Sequence, residues 1–184
     1  MIQPPVNQMP ALTVWESILA HLKQPEYVHV LLNPLPIYGI ALGALALTIA
    51  MMLRNRRAQI TALILVLIGA GSTIPVVHYG DAGYDVIESQ MPDDQADAWL
   101  DAHGQRAVRA MPAFYALIAL SLVALLLPWQ WPRSAAALNA LTLALAIVDF
   151  GLAGWIGYAG GQAMHKEFRA GMPAEPVGGY DKVR

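Results

Sequence analysis

Five histidines and one acid set deep in an apolar run are the side chains of this 184-residue chain best placed to do chemistry. His29 stands at the lip of the first long apolar stretch, in EYVHVLLNPLPIYG, and His78 closes the second, in STIPVVHYG. His103 lies in WLDAHGQRA on the approach to the third, and His165 follows the fourth. Imidazole is the commonest metal ligand and an axial ligand of haem iron. One histidine beside each of four helices predicts a rim where imidazoles from separate helices meet, and bundle interiors commonly hold such sites. His29 and His103 form the first candidate pair for a cofactor or metal, with His78 and His165 next. The plainer alternative is that each is an unliganded residue at a membrane boundary. The acid, Asp149, is the one ionisable residue within the apolar spans, a position that is costly and turned toward a bundle interior. It is a candidate proton-handling group, or simply a hydrogen-bond partner of Asn139, Thr142 or a backbone carbonyl.

What is missing narrows the chemistry. The chain has no cysteine, so disulfides, thiolate metal sites, iron–sulfur clusters and covalent c-type haem are excluded. Met91, Met111 and Met164 offer thioethers that would suit copper, although filling apolar space is their ordinary role. Haem b thus leads the cofactor candidates, with copper and zinc behind it. No HExxH helix or nucleophile elbow occurs, which disfavours a zinc protease or serine hydrolase, and no catalytic residue is assigned. A net charge of -2 gives no reason to expect nucleic acid.

These groups need a scaffold, and the composition says which. Hydrophobic residues make up 57% and charged ones 13%, where a soluble domain is about half apolar and a quarter charged. The excess falls in four stretches near the ~20 residues needed to cross a bilayer core: about 35–53, 58–79, 107–127 and 135–160. The expected fold is all-α, an integral membrane four-helix bundle with short interfacial helices on the outer side. Residues 29–170 would form the transmembrane domain, 1–28 an outer segment with an amphipathic interfacial helix, and 171–184 a mobile, Pro- and Gly-rich tail. No cleavable signal peptide is expected, since MIQPPVNQMP lacks a basic region.

Orientation follows from charge. Arg54, Arg56 and Arg57 join the first two spans, and Arg133 lies between the last two beside Trp129 and Trp131. Short basic loops stay in the cytoplasm and tryptophans favour the interface. The acidic stretch 80–109 then faces outward with both termini.

Local signals add detail. Thr13 and Glu16 have capping-box spacing ahead of a stripe of Leu12, Trp15, Leu19 and Leu22. Asp93 or Asp94 should cap a helix carrying Ala96, Trp99 and His103 on one face, running on into the third span. Pro34 and Pro36 fit the first turn of a helix, and Pro75 should kink the second span with Ser72 and Thr73 satisfying freed backbone groups. Gly39 and Gly43, and the set Gly151, Gly154, Gly157, Gly160 and Gly161, predict close helix packing. A cofactor lying against a glycine face is the other reading.

With these residues in view, HVLLNPLP resembles the N-terminal motif of the bacterial membrane family catalogued as domain of unknown function 2231, through His29 and Pro36. WLDAHGQRA is similar to the family's histidine segment before the third helix, at His103, and GYAGGQ to its glycine pair at Gly160 and Gly161. The similarity covers most of 28–169; where the family often has a second histidine, this chain has Pro34. The resemblance implies a small four-span protein of the bacterial inner membrane and carries no settled activity.

Two functions emerge. One is a redox protein holding haem b or a metal through histidines at the outer rim, exchanging electrons with a quinol or an outer-side partner. The other is a non-enzymatic accessory or assembly subunit, packing in a homo-oligomer or larger membrane complex.

Overall fold

A computed structural model describes residues 13–169, 171–176 and 180. Residues 1–12 of the expected N-terminal segment, Leu12 of its stripe included, lie outside them, as do parts of the tail. Helices α1 (Val14–His21), α2 (Pro25–Leu32), α3 (Pro34–Met52), α4 (Arg56–Gly71), α5 (Thr73–Glu88), α6 (Asp94–Leu126) and α7 (Ala135–Met164) form an all-α structure. Four helical units are long and apolar enough to cross a membrane: α2 with α3, α4 with α5, α6 and α7. Helix α3 packs on α4 and α6 on α7, while α3–α7 and α4–α6 contacts close the four-helix bundle and α2 lies along α5.

Prolines and hydroxyls account for the breaks in the first two units. Pro34 and Pro36 open α3, where a missing N–H forfeits no helix bond. Pro75 enters the first turn of α5, and the lost bond is offset locally. Ser72 Oγ donates to the Gly69 carbonyl at 2.7 Å and Thr73 Oγ1 to that of Ala70 at 2.6 Å. Helix α6 is uninterrupted from its Asp93 cap, whose carboxylate accepts from the Ala96 N–H at 2.8 Å. Both α5 and α6 continue as helix well beyond their apolar parts, so only residues 89–93 link them.

Thr13 caps α1 in the expected capping box. That helix buries nothing against the bundle, which leaves Trp15 and Leu19 exposed. Their free apolar face suits a helix lying in an interface.

The bundle core has one cluster with Ile40, Val66, Phe114, Leu117 and Ala146 and a second, nearer the arginine end, with Leu47, Leu63 and Ala124. Glycines let α3 and α4 approach: a Cβ on Gly39 would stand 2.8 Å from Gly69 Cα, and one on Gly43 2.7 Å from the Val66 nitrogen. Helix α7 differs from expectation. Gly151, Gly154 and Gly161 have open space where a Cβ would go, and Gly157 meets only the end of the Ile37 side chain at 3.7 Å. These four do not pack against a neighbouring backbone: Gly151 and Gly154 lie on the exposed face of α7, and Gly157 and Gly161 line a cavity.

The two ends of the bundle differ. At the arginine end, Asn55 caps α4 through the N–H groups of Arg57 and Ala58, and Trp129 and Trp131 are exposed. At the histidine end, the described tail docks instead of hanging free. Arg106 forks onto Glu175 with contacts of 2.8 and 3.1 Å, Gln105 donates to the Pro176 carbonyl at 2.9 Å, and Trp99 to that of Gly171 at 2.8 Å. The proline and glycine content that suggested mobility gives an extended chain, and three buried donors on α6 hold it.

Replacing Gly43 with alanine should force α3 and α4 apart at a cost of roughly 1–3 kcal/mol. Gly154→Ala should cost less than about 0.5 kcal/mol. Thermal unfolding of the two variants in detergent checks the contrast.

Candidate functional site

Two histidines from different helical units meet in the bundle. The rings of His29 on α2 and His103 on α6 have centroids 6.2 Å apart and planes crossed at 88°. Each is held in the same manner. His29 Nδ1 lies 2.8 Å from the Val76 carbonyl on α5, and His103 Nδ1 lies 2.9 Å from the Ile156 carbonyl on α7. A carbonyl only accepts, so Nδ1 carries a proton in both rings, and in a neutral imidazole the lone pair is then on Nε2.

This arrangement dictates what lies beneath the rings. A helical carbonyl points along the axis toward the residue four places on. A ring bonded to Val76 therefore rests on Gly80, and one bonded to Ile156 rests on Gly160. A Cβ at Gly80 would come within 2.8 Å of His29 Nδ1, and one at Gly160 within 3.1 Å of His103 Nδ1. Glycine is what admits each imidazole to its carbonyl. The two units repeat one design: a histidine on the first helix, a carbonyl on the second, and a glycine one turn further on.

Both rings line a cavity of about 250 Å³ whose walls include Ile37, Val77, Met111, Phe114, Ala153 and Ile156. Among the described residues no group of three or more His, Cys, Asp or Glu side chains could hold a metal ion together. The donor set here is two imidazoles in apolar surroundings.

Not every histidine joins. His78 is exposed and its ring sits beside Tyr79, centroids 5.3 Å apart. Two residues from Val76 is about 200° around a helix, so it faces away from the cavity. His165 is exposed beyond the end of α7, with Nδ1 3.2 Å from Glu167. The expected rim of four imidazoles is thus a pair. His21 lies on α1, bonded to the Ser17 carbonyl. Of the methionines, Met111 and Met164 border the cavity, and Met91 packs beside Trp99 and Leu100.

Asp149 is fully buried with neither carboxylate oxygen hydrogen-bonded. The partners expected for it are engaged elsewhere: Asn139 donates to Gln59 at 2.9 Å and Thr142 to the Leu138 carbonyl at 2.9 Å.

Residues outside the sequence expectation close the mouth. The Tyr180 ring lies against Gly104, where a Cβ would meet it at 2.6 Å. Its hydroxyl donates to Asp81, and its ring is 4.8 Å from that of Tyr84, whose hydroxyl donates to Asp101. Burial and the Asp81 carboxylate push the Tyr180 phenol well above its ordinary pKa. Arg106 is central: it pairs with Glu175, donates to the Trp155 carbonyl at 2.9 Å, and lies over the rings of Trp155 and Trp99 at 4.8 and 5.6 Å. Arg169 fastens the edge, bonding Asp93 and the Gln162 and Ala163 carbonyls near the end of α7. Composition gave no sign of this closure, because it depends on Glu175 and Tyr180 meeting Arg106 and Asp81 across roughly 70 to 100 residues of chain.

Comparison with known proteins adds no identity: no family model, curated protein or solved structure matches the chain.

Two outcomes follow. Gly80→Val should displace His29 and lower stability by roughly 1–3 kcal/mol, whereas His78→Ala should stay within about 0.5 kcal/mol of the parent, both read by thermal unfolding. The hydrogen bond from Arg106 holds Glu175 below the ordinary glutamate range. A depressed carboxylate stabilises the docked tail fully above that range, and the contribution disappears as pH falls through the folded-state value. Acidification should therefore release the tail, increasing its cleavage by an acid-stable protease, and Glu175→Gln should show the same release at neutral pH.

Proposed function

We propose that this protein binds one b-type haem between His29 and His103 and carries electrons at the outer face of a bacterial inner membrane. The observation behind this is the separation of the two rings. Two helical units bring their imidazole rings to 6.2 Å across one cavity, where both would serve as ligands to a haem iron.

The donor chemistry points the same way. Two imidazoles would be a full protein donor set for haem, which brings its remaining ligands with it. A bound haem would supply reversible one-electron transfer. The chain's part is to orient both rings through the Val76 and Ile156 carbonyls, which also raises the basicity of each Nε2. Gly80 and Gly160 keep both rings at those carbonyls. The apolar walls and the docked tail limit water, a condition that tunes redox potential. Arg54, Arg56, Arg57 and Arg133 put the opposite end in the cytoplasm by the positive-inside rule. The site then faces the periplasm, as do both termini, within reach of a quinol or an outer-side electron partner. Membership of the family catalogued as domain of unknown function 2231 belongs to this same reading.

A second reading, an accessory or assembly subunit, draws on Gly151 and Gly154. Small residues on an exposed face of a spanning helix suit close approach by another. In that case Gly154→Leu should dissociate a complex while leaving the monomer folded, measured by size-exclusion chromatography.

The haem reading is tested by absorbance of the detergent-purified protein after loading with haemin. A six-coordinate low-spin spectrum is expected, with loss of that coordination in His29→Ala and His103→Ala and none in His78→Ala or His165→Ala. A folded protein that takes up no haem would end the proposal.

A further inference from the structure

We infer that Asp149 is a proton-accepting site coupled to the redox state of the group held by His29 and His103, filled from the arginine end of the bundle. This rests on the haem reading and extends it to a part of the chain that holds no ligand.

Position is the first argument. The buried seam of α7 runs Asn139, Thr142, Ala146, Asp149, Ala153, a spacing that keeps one face inward. Ala153 lines the histidine cavity, so Asp149 lies one helical turn, about 6 Å of rise, below the cavity floor. Ala146 and Ala153, a turn to either side, belong to the apolar core with Phe114 and Leu117.

The second argument is what Asp149 lacks. Both carboxylate oxygens are buried without a hydrogen bond. An ionised, unpartnered carboxylate in such a place is costly, so the acid holds its proton unless a nearby positive charge favours release. The elements packed on α7 provide no resident one at this level. Helix α3 has no charged residue, and its titratable Tyr38 is exposed. Helix α4 has Arg56 and Arg57 in its first turn, and the charged or titratable groups on the part of α6 facing this half of the bundle are His103, Arg106 and Arg109, all nearer the mouth, and the exposed Tyr115. On α7 itself Tyr158 lies beyond the cavity level. A haem held by His29 and His103 would, when oxidised, supply that positive charge.

The third argument is a route. Below Asp149, past the apolar turn at Ala146, buried and half-buried polar side chains recur toward the arginine loop. Ser121 Oγ and Asn139 Oδ1 are buried without partners. Asn139 donates to Gln59, which itself donates to the Ala50 carbonyl at 3.4 Å. Arg56, one turn from Gln59 at the start of α4, reaches the Ala124 carbonyl at 3.4 Å and keeps Nη1 unpaired. Nothing comparable in the described residues explains a polar column in a core this apolar. Its unpaired atoms are where water would sit and pass protons.

The balance is simple. An external one-electron reductant, such as a quinol or a reduced metalloprotein, delivers the electron at the histidine end. Asp149 takes one proton from the aqueous phase at the arginine end, passing from carboxylate to neutral carboxylic acid. On reoxidation it returns the proton by the same path.

The test is a pH series of midpoint potentials on the haem-loaded protein, with an infrared difference spectrum between the oxidised and reduced forms. A tenfold change in proton concentration should shift the potential by up to about 59 mV, the limit for one proton per electron. The infrared difference should show a neutral carboxylic acid appearing on reduction. Asp149→Asn should flatten the potential and remove that band while keeping the parent absorption spectrum, and Asp149→Glu should restore both. A parent potential independent of pH, or an equal slope in Asp149→Asn, overturns the inference while leaving the haem reading intact. Failure of the parent protein to load haem overturns both.

Discussion

The hydrogen bond from a histidine Nδ1 to a helical carbonyl on the neighbouring helix is the constraint on which this structure turns. It fixes the tautomer, the tilt of the ring and the direction of the remaining lone pair. It also dictates the residue beneath, because a ring at that carbonyl occupies the space a side chain would need one turn on. His29 over Gly80 and His103 over Gly160 obey the same geometry in separate halves of the bundle. Each half supplies one ring, so the site exists only where the halves face each other. The α3–α4 approach through Gly39 and Gly43 tightens one half, and the α3–α7 and α4–α6 contacts hold the halves against each other.

Around this pair the bundle sorts its polarity by depth. The middle is packed with aliphatic and small residues, as a protein without hydrophobic drive between spans requires. Hydroxyls near Pro75 repair the break that proline makes. The charged groups that remain buried are at the mouth, where Arg106 is paired with Glu175 and sandwiched by Trp99 and Trp155. A buried guanidinium is tolerable when its donors are met and its faces covered by aromatic rings. Asp149 is the exception to this order, an acid in the core whose two carboxylate oxygens have no hydrogen-bond partner among the described residues.

Much of this was legible in the residues themselves. Four apolar runs announce the all-α bundle, the Thr13–Glu16 spacing gives the capping box, and Asp93 marks the start of a helix that continues into the third span. His29 and His103 could be singled out because both precede a span by a short interval. The failures have physical causes. His78 was misjudged because position along a helix says less than position around it, and two residues turn a side chain to the far face. The glycines of α7 were read as packing residues from their number alone, while their exposure depends on which face α7 turns to the bundle. Gly80 was missed because its role exists only relative to a carbonyl one turn before and a ring from another helix. The tail was read from composition, which reports backbone preference and is silent about the donors waiting on Trp99, Gln105 and Arg106.

Residues 171–176 and Tyr180 follow all four spans along the chain, so the ribosome makes them after the helices that they cover. While the nascent protein enters the bilayer, the chamber beneath Gly104 stands open. The residues that cover it arrive afterwards. Maturation would thus have a built-in sequence of events, written in the order of translation.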